Sequence, residues 1–255
     1  MSTPLLQLHE VRKNFGGVQA VRGLSFSVHR GQVLGLIGPN GSGKSTSVNL
    51  ISGTLPVSSG EIEFDGKNVN DLAISARVPL GLARTFQTTS LFPEFSVRNQ
   101  VLTACHSRFC SAPWAAVFRL SAARSEEARQ QARADEILEF VGLSDVAREL
   151  TSSLSSAQQR LLMIATALAS EPALVLLDEP AAGMVAKERK ELTGLIQRIQ
   201  ARGVAVLVIE HHMGLIMEVC ERIVVLNFGQ KIAEGTPAEI RANPAVIDAY
   251  LGGSH

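Results

Sequence analysis

The chain has 255 residues, 45% of them hydrophobic, enough for a sizeable core in one large domain or two small ones. Its 24 Lys and Arg balance 24 Asp and Glu, and this zero formal charge argues against nucleic acid as a bulk electrostatic partner. The three cysteines, Cys105, Cys110 and Cys220, have neither metal-ligand nor redox spacing, so free thiols in a reducing cytosol are expected.

Met1-Ser2-Thr3-Pro4-Leu5 lacks the basic region and long apolar core of a signal peptide. The longest apolar runs, such as Val204 to Ile209, fall well short of the ~20 residues a membrane-spanning helix needs. A soluble chain that can still dock on a membrane protein is expected. Residues 5–30 alternate weakly and predict two strands joined by the turn Asn14-Phe15-Gly16-Gly17. Phe15 has two readings: an aromatic face for an adenine ring, or a loop aromatic packed on its own hairpin.

Gln32 to Ile37 reads as a buried strand. It runs into Gly38-Pro39-Asn40-Gly41-Ser42-Gly43-Lys44-Ser45-Thr46, which fits the phosphate-loop pattern G-x-x-x-x-G-K-[ST] at every fixed position. A helix over 45–52 points its free N–H groups back at whatever the loop holds. Gly38, Gly41 and Gly43 carry no Cβ, so backbone amides can close on phosphate oxygens. Lys44 brings a cation to the β- and γ-phosphates, and the Ser45 hydroxyl is placed for Mg²⁺.

Further on, 60–67 predicts a strand ending in an Asp-Gly turn, and 81–86 a short strand with Gln87 at its end. The Gln87 amide can reach a metal or a water, or simply be solvated. Residues 97–142 change character. Val97 to Ser107 reads as helical, Pro113 interrupts, and Ala134, Ile137, Leu138 and Val141 recur at helical spacing in a stretch rich in Glu, Arg, Ala and Gln. This predicts a mostly helical insert between two α/β halves. Ser155 with Gln158 predicts a capping box that opens a helix to about Ser170. Its free amides suit an anion, as those of any well-capped helix start do.

Ala173 to Pro180 predicts a buried parallel strand ending in Asp178-Glu179, with its carboxyl end at the site. Asp178 can hold Mg²⁺, and Glu179 can act as general base toward a water. A helix over 186–202 and a second buried strand over 204–209 follow, ending at Glu210-His211-His212. A histidine there can donate to a γ-phosphate or serve only the loop. Strands over 222–226 and 231–233 and two short helices split by Pro244 complete the pattern.

Taken together, these pieces resemble the ATP-binding subunit of ABC transporters over nearly the whole chain. The resemblance implies an α/β fold: a P-loop NTPase (RecA-like) core with an N-terminal antiparallel β subdomain, spanning about 1–96 and 171–255. A helical insert over about 97–170 carries the signature helix. It implies roles for Phe15 (adenine stacking), Gly38–Ser45 (Walker A), Gln87 (Q-loop), Leu154–Arg160 (in place of the LSGGQ signature), Leu174–Asp178 (Walker B), Glu179 (base), Ala181–Val185 (D-loop) and His211 (switch histidine). The strings Ala83-Arg84-Thr85-Phe86-Gln87, Glu179-Pro180-Ala181-Ala182-Gly183-Met184, Glu210-His211, and the tail Ile232-Ala233-Glu234-Gly235-Thr236-Pro237 through Ala249-Tyr250-Leu251-Gly252 are similar to the branched-chain amino-acid importers.

The chain departs from the family at Ala157 and Ser156, where glycine is usual, at Val185 in place of Asn or Asp, at His212 in place of Asp, and at Thr166 in place of Arg. Groups acting on the chain's own nucleotide, namely Lys44, Ser45, Asp178, Glu179 and His211, are all present. In the family, Ser155, Ser156 and Ala157 would cap the nucleotide held by the opposite subunit, and each added Cβ would push that backbone away from the phosphate. The expected protein is therefore an ATPase using ATP and Mg²⁺, paired with a second, different ATPase subunit. It would work with two permease subunits and indirectly a substrate-binding protein, peripheral on the inner face of the cell membrane. The expected cargo is branched-chain or other hydrophobic amino acids. Two other readings stay open: a non-hydrolysing nucleotide-binding subunit, and an ABC ATPase for urea, amides or a lipid, since cargo is chosen by subunits other than this one.

Overall fold

The computed structural model describes residues 3–85, 91–106 and 120–251. β1 (Leu6–Phe15) and β2 (Val18–Val28) form a hairpin in which Phe15 pairs with Val18, so its turn is the two glycines alone. β3 (Val33–Ile37) is buried at every residue. That burial on both faces is what a continuous apolar run means in a parallel sheet. α1 (Lys44–Ser52) follows. β4 (Ser59–Phe64) and β5 (Lys67–Asn68) flank the expected Asp65-Gly66 turn. Next come the one-turn helix α2 (Ile74–Arg77) and β6 (Leu82–Arg84).

The middle of the chain is helical, as its composition implies. α3 (Val97–His106), α4 (Leu120–Val141) and α5 (Ser156–Ala169) pack together, with Ala134, Ile137, Leu138 and Val141 all buried. Then β7 (Leu174–Asp178), α6 (Ala186–Ala201), β8 (Ala205–Ile209), α7 (Met213–Val219), β9 (Arg222–Asn227) and β10 (Gln230–Gly235) return the chain to the α/β part. The short helices α8 (Pro237–Ala242) and α9 (Pro244–Leu251) end it, split at Pro244 as expected. Among the described residues no helix is long and apolar enough to cross a membrane.

Two sheets result. One is antiparallel, ordered β2-β1-β4-β5. The other is ordered β10-β9-β3-β8-β7-β6, parallel except for β10 against β9. One apolar core joins Leu6, Leu8 and Phe26 of the antiparallel sheet to Leu34, Leu176 and Leu207 of the parallel one, with Val48 and Ile51 of α1 among them.

The chain divides into two compact units, Met1–Arg84 with Ala173–His255, and Thr85–Pro172. The second begins before α3, where the sequence reading began the insert. The reason is local pairing. Ser96 bridges Leu150, the Val97 amide donates to Glu149 O at 2.9 Å, and the Thr151 amide donates to Phe95 O at 2.9 Å. Residues 91–96 thus belong with the helices that follow them.

Candidate nucleotide site

The parallel register gathers three loops at one end of the sheet. Leu36 of β3 pairs with Ile209 of β8, and Ile209 pairs in turn with Asp178 of β7. The chain therefore leaves the carboxyl ends of these strands side by side as Gly38–Gly43, Glu210-His211-His212 and Glu179-Pro180. Ligands of open α/β sheets bind at such an edge.

The phosphate loop is built so that only glycine fits at two positions. A Cβ on Gly38 (φ 154°) would overlap the Leu226 carbonyl oxygen, and one on Gly43 (φ 101°) would sit 2.7 Å from Ala20 O. The Gly229 amide in the β9–β10 turn donates to Ser42 O at 3.0 Å and ties the loop down. Lys44 folds back over the loop, its Nζ donating to Gly38 O at 2.7 Å and Pro39 O at 3.0 Å. Burial lowers the Lys44 pKa, while the carboxylates of Glu179 and Asp178 act to raise it. A cation thus stands among acids at the start of a helix whose first amides are open to an anion. Ser45 is exposed on the first turn, and the Ser42 hydroxyl is buried with no hydrogen-bond partner among the described residues.

Asp178 is buried (7% exposed), and its Oδ2 accepts from Arg84 Nη2 at 2.8 Å. Arg84 also donates to Asn49 Oδ1 at 2.7 Å and Ser52 Oγ at 3.1 Å on α1, linking β6, β7 and the phosphate helix. Glu179 is half-buried and holds a left-handed backbone, φ 48°, a conformation L-residues with a Cβ seldom adopt. Its amide donates to Ile209 O at 2.8 Å. His211 and His212 are exposed, with ring centroids 6.2 Å apart. Glu210 between these loops is buried at 1%. Its Oε1 accepts from the Ala181 amide at 2.9 Å, and its Oε2 accepts from the amides of His211 at 2.9 Å and His212 at 3.0 Å.

Phe15 ends β1 with nearly half its surface exposed, and the Lys13 ammonium lies 5.2 Å from its ring centroid. Gln87 lies outside the described residues. In the helical unit, Ser155 caps α5 with both halves of the expected box. The Gln158 amide donates to Ser155 Oγ at 3.2 Å, and the Ser155 amide to Gln158 Oε1 at 2.9 Å. Ser156 is exposed, whereas Ala157 is buried. Val185 precedes α6 with its side chain exposed. It offers no acceptor, and only the reverse half of a cap forms, with its amide donating to Glu188 Oε2 at 2.9 Å.

The sequence reading brought Lys44, Asp178, Glu179 and His211 forward, and the structure places all four at this edge. It passed over Arg84 and Glu210 as structural partners. The one available signal was a charged residue at the end of each of two otherwise apolar strands.

The ABC transporter family model matches residues 21–182, and the chain belongs to that family. Its members hydrolyse ATP to power transport, and this chain is an ATPase of that class. A second model, for the branched-chain amino acid ATP-binding cassette transporter, matches residues 230–255. The chain is 39% identical to the high-affinity branched-chain amino acid transport ATP-binding protein BraF of Pseudomonas aeruginosa, over 99% of each chain. It is 36% identical to LivG of Escherichia coli, again over 99% of each. Among solved structures, it matches an ATP-binding cassette of an ABC transporter in its ADP conformation, with TM-score 0.85, 30% identity, and coverage of 98% of this chain and 100% of that one. A nucleotide-free cassette matches with TM-score 0.84 and 30% identity, over 97% and 99%.

Proposed function

We propose that this chain is the ATP-hydrolysing subunit of an importer for branched-chain or other hydrophobic amino acids. What supports the cargo is the full-length likeness to BraF and LivG, together with the match of the C-terminal segment to the branched-chain model. What supports the chemistry is one arrangement: Lys44, Asp178 and Glu179 gathered where β3, β7 and β8 end.

The glycine-walled loop and the first amides of α1 hold the triphosphate, and Phe15 stacks on the adenine. Lys44 exchanges its two carbonyl contacts for phosphate oxygens and stabilises charge that develops in the transition state. The donors among the described residues fit Mg²⁺: an exposed hydroxyl at Ser45 and a buried carboxylate at Asp178; the family resemblance assigns a further amide to Gln87. Among the described residues no cluster of three His, Cys, Asp or Glu is present, which suits an ion that keeps several of its own waters. Bound there, Mg²⁺ supplies positive charge to the β- and γ-phosphate oxygens. Glu179 orients a water and takes its proton, while His211 donates to the γ-phosphate.

The second half of the site on this chain's Walker residues comes from a different ATPase subunit, because this chain's own signature residues Ser156 and Ala157, and its D-loop residue Val185, depart from the family's. Two permease subunits hold the pair on the inner face of the cell membrane and take cargo from a substrate-binding protein. The test is Glu179→Gln in the assembled complex, which removes the base and keeps the shape. ATP turnover is expected to fall by at least 100-fold with nucleotide binding retained, and unchanged turnover would sink the assignment of the base. Stimulation of turnover by a leucine-loaded binding protein, absent with urea or amides, checks the cargo.

A further inference from the structure

Among the buried ionisable groups that the reaction just described leaves unused is a carboxylate at the site's own edge. Glu210 has a side chain with no solvent exposure, and the His211 imidazole Nδ1 lies 3.7 Å from its Oε2. A carboxylate in such a place is costly unless its oxygens are satisfied. Here they accept three backbone amides, those of Ala181, His211 and His212. The first belongs to the loop after Glu179, the other two to the loop that carries His211.

The pattern follows from the strands. β7 and β8 pair as far as Asp178 opposite Ile209, and the Glu179 amide adds one more bond, to Ile209 O. The ladder then meets Pro180, which has no amide to give. The next donor is Ala181, and Glu210 Oε1 takes it at 2.9 Å. Glu179 is thereby pinned on both sides, through its own amide and through Ala181, while it holds φ 48°. The other oxygen of the same carboxylate fixes the two amides at the start of the histidine loop. Charge-assisted bonds of this kind are roughly twice as strong as neutral ones.

We propose that Glu210 is a positioning residue for hydrolysis: one carboxylate sets the backbone of Glu179 and the D-loop against the backbone of His211, so that base and switch histidine share a single anchor. This rests on the roles given above to Glu179 and His211. Its consequence is a link between the loop that faces the partner subunit, Ala181–Val185, and the histidine that senses the γ-phosphate. Glutamine at 210 is isosteric but carries one acceptor and one NH₂ group. Whichever way it turns, an NH₂ faces an amide N–H and one of the two loops is released.

The experiment is Glu210→Gln in the assembled complex, with kcat, KM for ATP and equilibrium binding of a fluorescent ATP analogue measured alongside Glu179→Gln, His211→Ala and the double variant Glu210→Gln/His211→Ala. The expected result is a kcat at least tenfold lower, nucleotide affinity within threefold of wild type, and an effect in the double variant well short of the product of the single ones. Glu210→Asp keeps the charge but is one methylene too short to reach both loops. It is expected to show the same split, and it carries the test if the glutamine variant does not fold. Wild-type kcat in either variant overturns the proposal, as does a parallel loss of kcat and affinity, or full multiplicativity with His211→Ala. If Glu179→Gln and His211→Ala are themselves normal, the roles beneath the proposal fail and it fails with them. If those two are impaired while Glu210 variants are normal, only this inference falls.

Discussion

Arg84 shows what a single side chain contributes at this site. Its guanidinium meets Asp178 at 2.8 Å with the two side chains only 10% and 5% exposed, so water screens the pair little. Arginine's planar fork lets it reach Asn49 and Ser52 on α1 as well, which a lysine ammonium cannot do in one geometry. Removing one partner of a buried pair leaves the other charge uncompensated, at a cost of about 3–5 kcal/mol. Arg84→Met is therefore expected to lower the unfolding free energy, measured by denaturant titration, by an amount of that order, and Arg84→Lys by less. A Met variant as stable as wild type would mean the pair contributes nothing net. The glycines and Lys44 of the phosphate loop were legible because their chemistry sits in consecutive residues. The bonds of Arg84 were not. Its partners lie at 49, 52 and 178, and no local pattern links those positions.

At the scale of elements, the same contrast separates α1 from what secures it. Strand, loop and helix over 33–52 follow from an apolar run, a glycine-rich turn and helix-forming residues, and they appear within a residue of expectation. The end of α1 is another matter. Its last carbonyls have no partner within the helix. Arg77, from the unanticipated turn α2, supplies one: Nη1 donates to Leu50 O at 2.9 Å and Ile51 O at 2.6 Å. Nε and Nη2 of Arg77 donate to Leu72 O at 2.8 Å and Val69 O at 2.6 Å. The residue is 2% exposed, and this burial pulls its pKa down to about 10. A buried arginine that serves only carbonyls leaves no trace in periodicity, because a charged residue in a short polar stretch reads as solvated. Leu50 O and Val69 O also accept the amides of Gly53 and Leu72, so Arg77→Met would leave Ile51 O and Leu72 O without their donor, at about 1–3 kcal/mol for each one left unsatisfied. We expect a loss of about 2–6 kcal/mol in chemical denaturation, and weaker ATP binding as the helix behind the phosphate loop loosens. Arg77→Lys is expected to recover only part of the stability, since one ammonium cannot serve both the helix end and Leu72.

For the whole molecule, the question is how a subunit with intact Walker residues and an altered signature can serve a transporter. The helical unit does not treat its two departures alike. Ser155 caps α5 fully, Ala157 is buried among its neighbours, and Ser156 is exposed on the first turn. Of the two, Ser156 is therefore the more open to a phosphate presented from outside. Val185 adds an exposed aliphatic side chain where a hydrogen-bonding one would reach across a dimer. In a homodimer both sites would carry these defects. In a heterodimer, this chain's Walker residues meet the partner's signature in one site, and the altered signature is confined to the other. Restoring glycine at both positions, Ser156→Gly with Ala157→Gly, tests this in the complex with the proposed second ATPase. If the site completed by this signature does not limit turnover, steady-state ATP hydrolysis should change by less than about twofold, which lies within ~0.4 kcal/mol of barrier. A rise of tenfold, about 1.4 kcal/mol, would mean that the altered segment brakes a site that turns over, and the division of labour between unlike subunits would be wrong. Ser156→Gly alone should then give most of that rise, because Ser156 is exposed and Ala157 is buried.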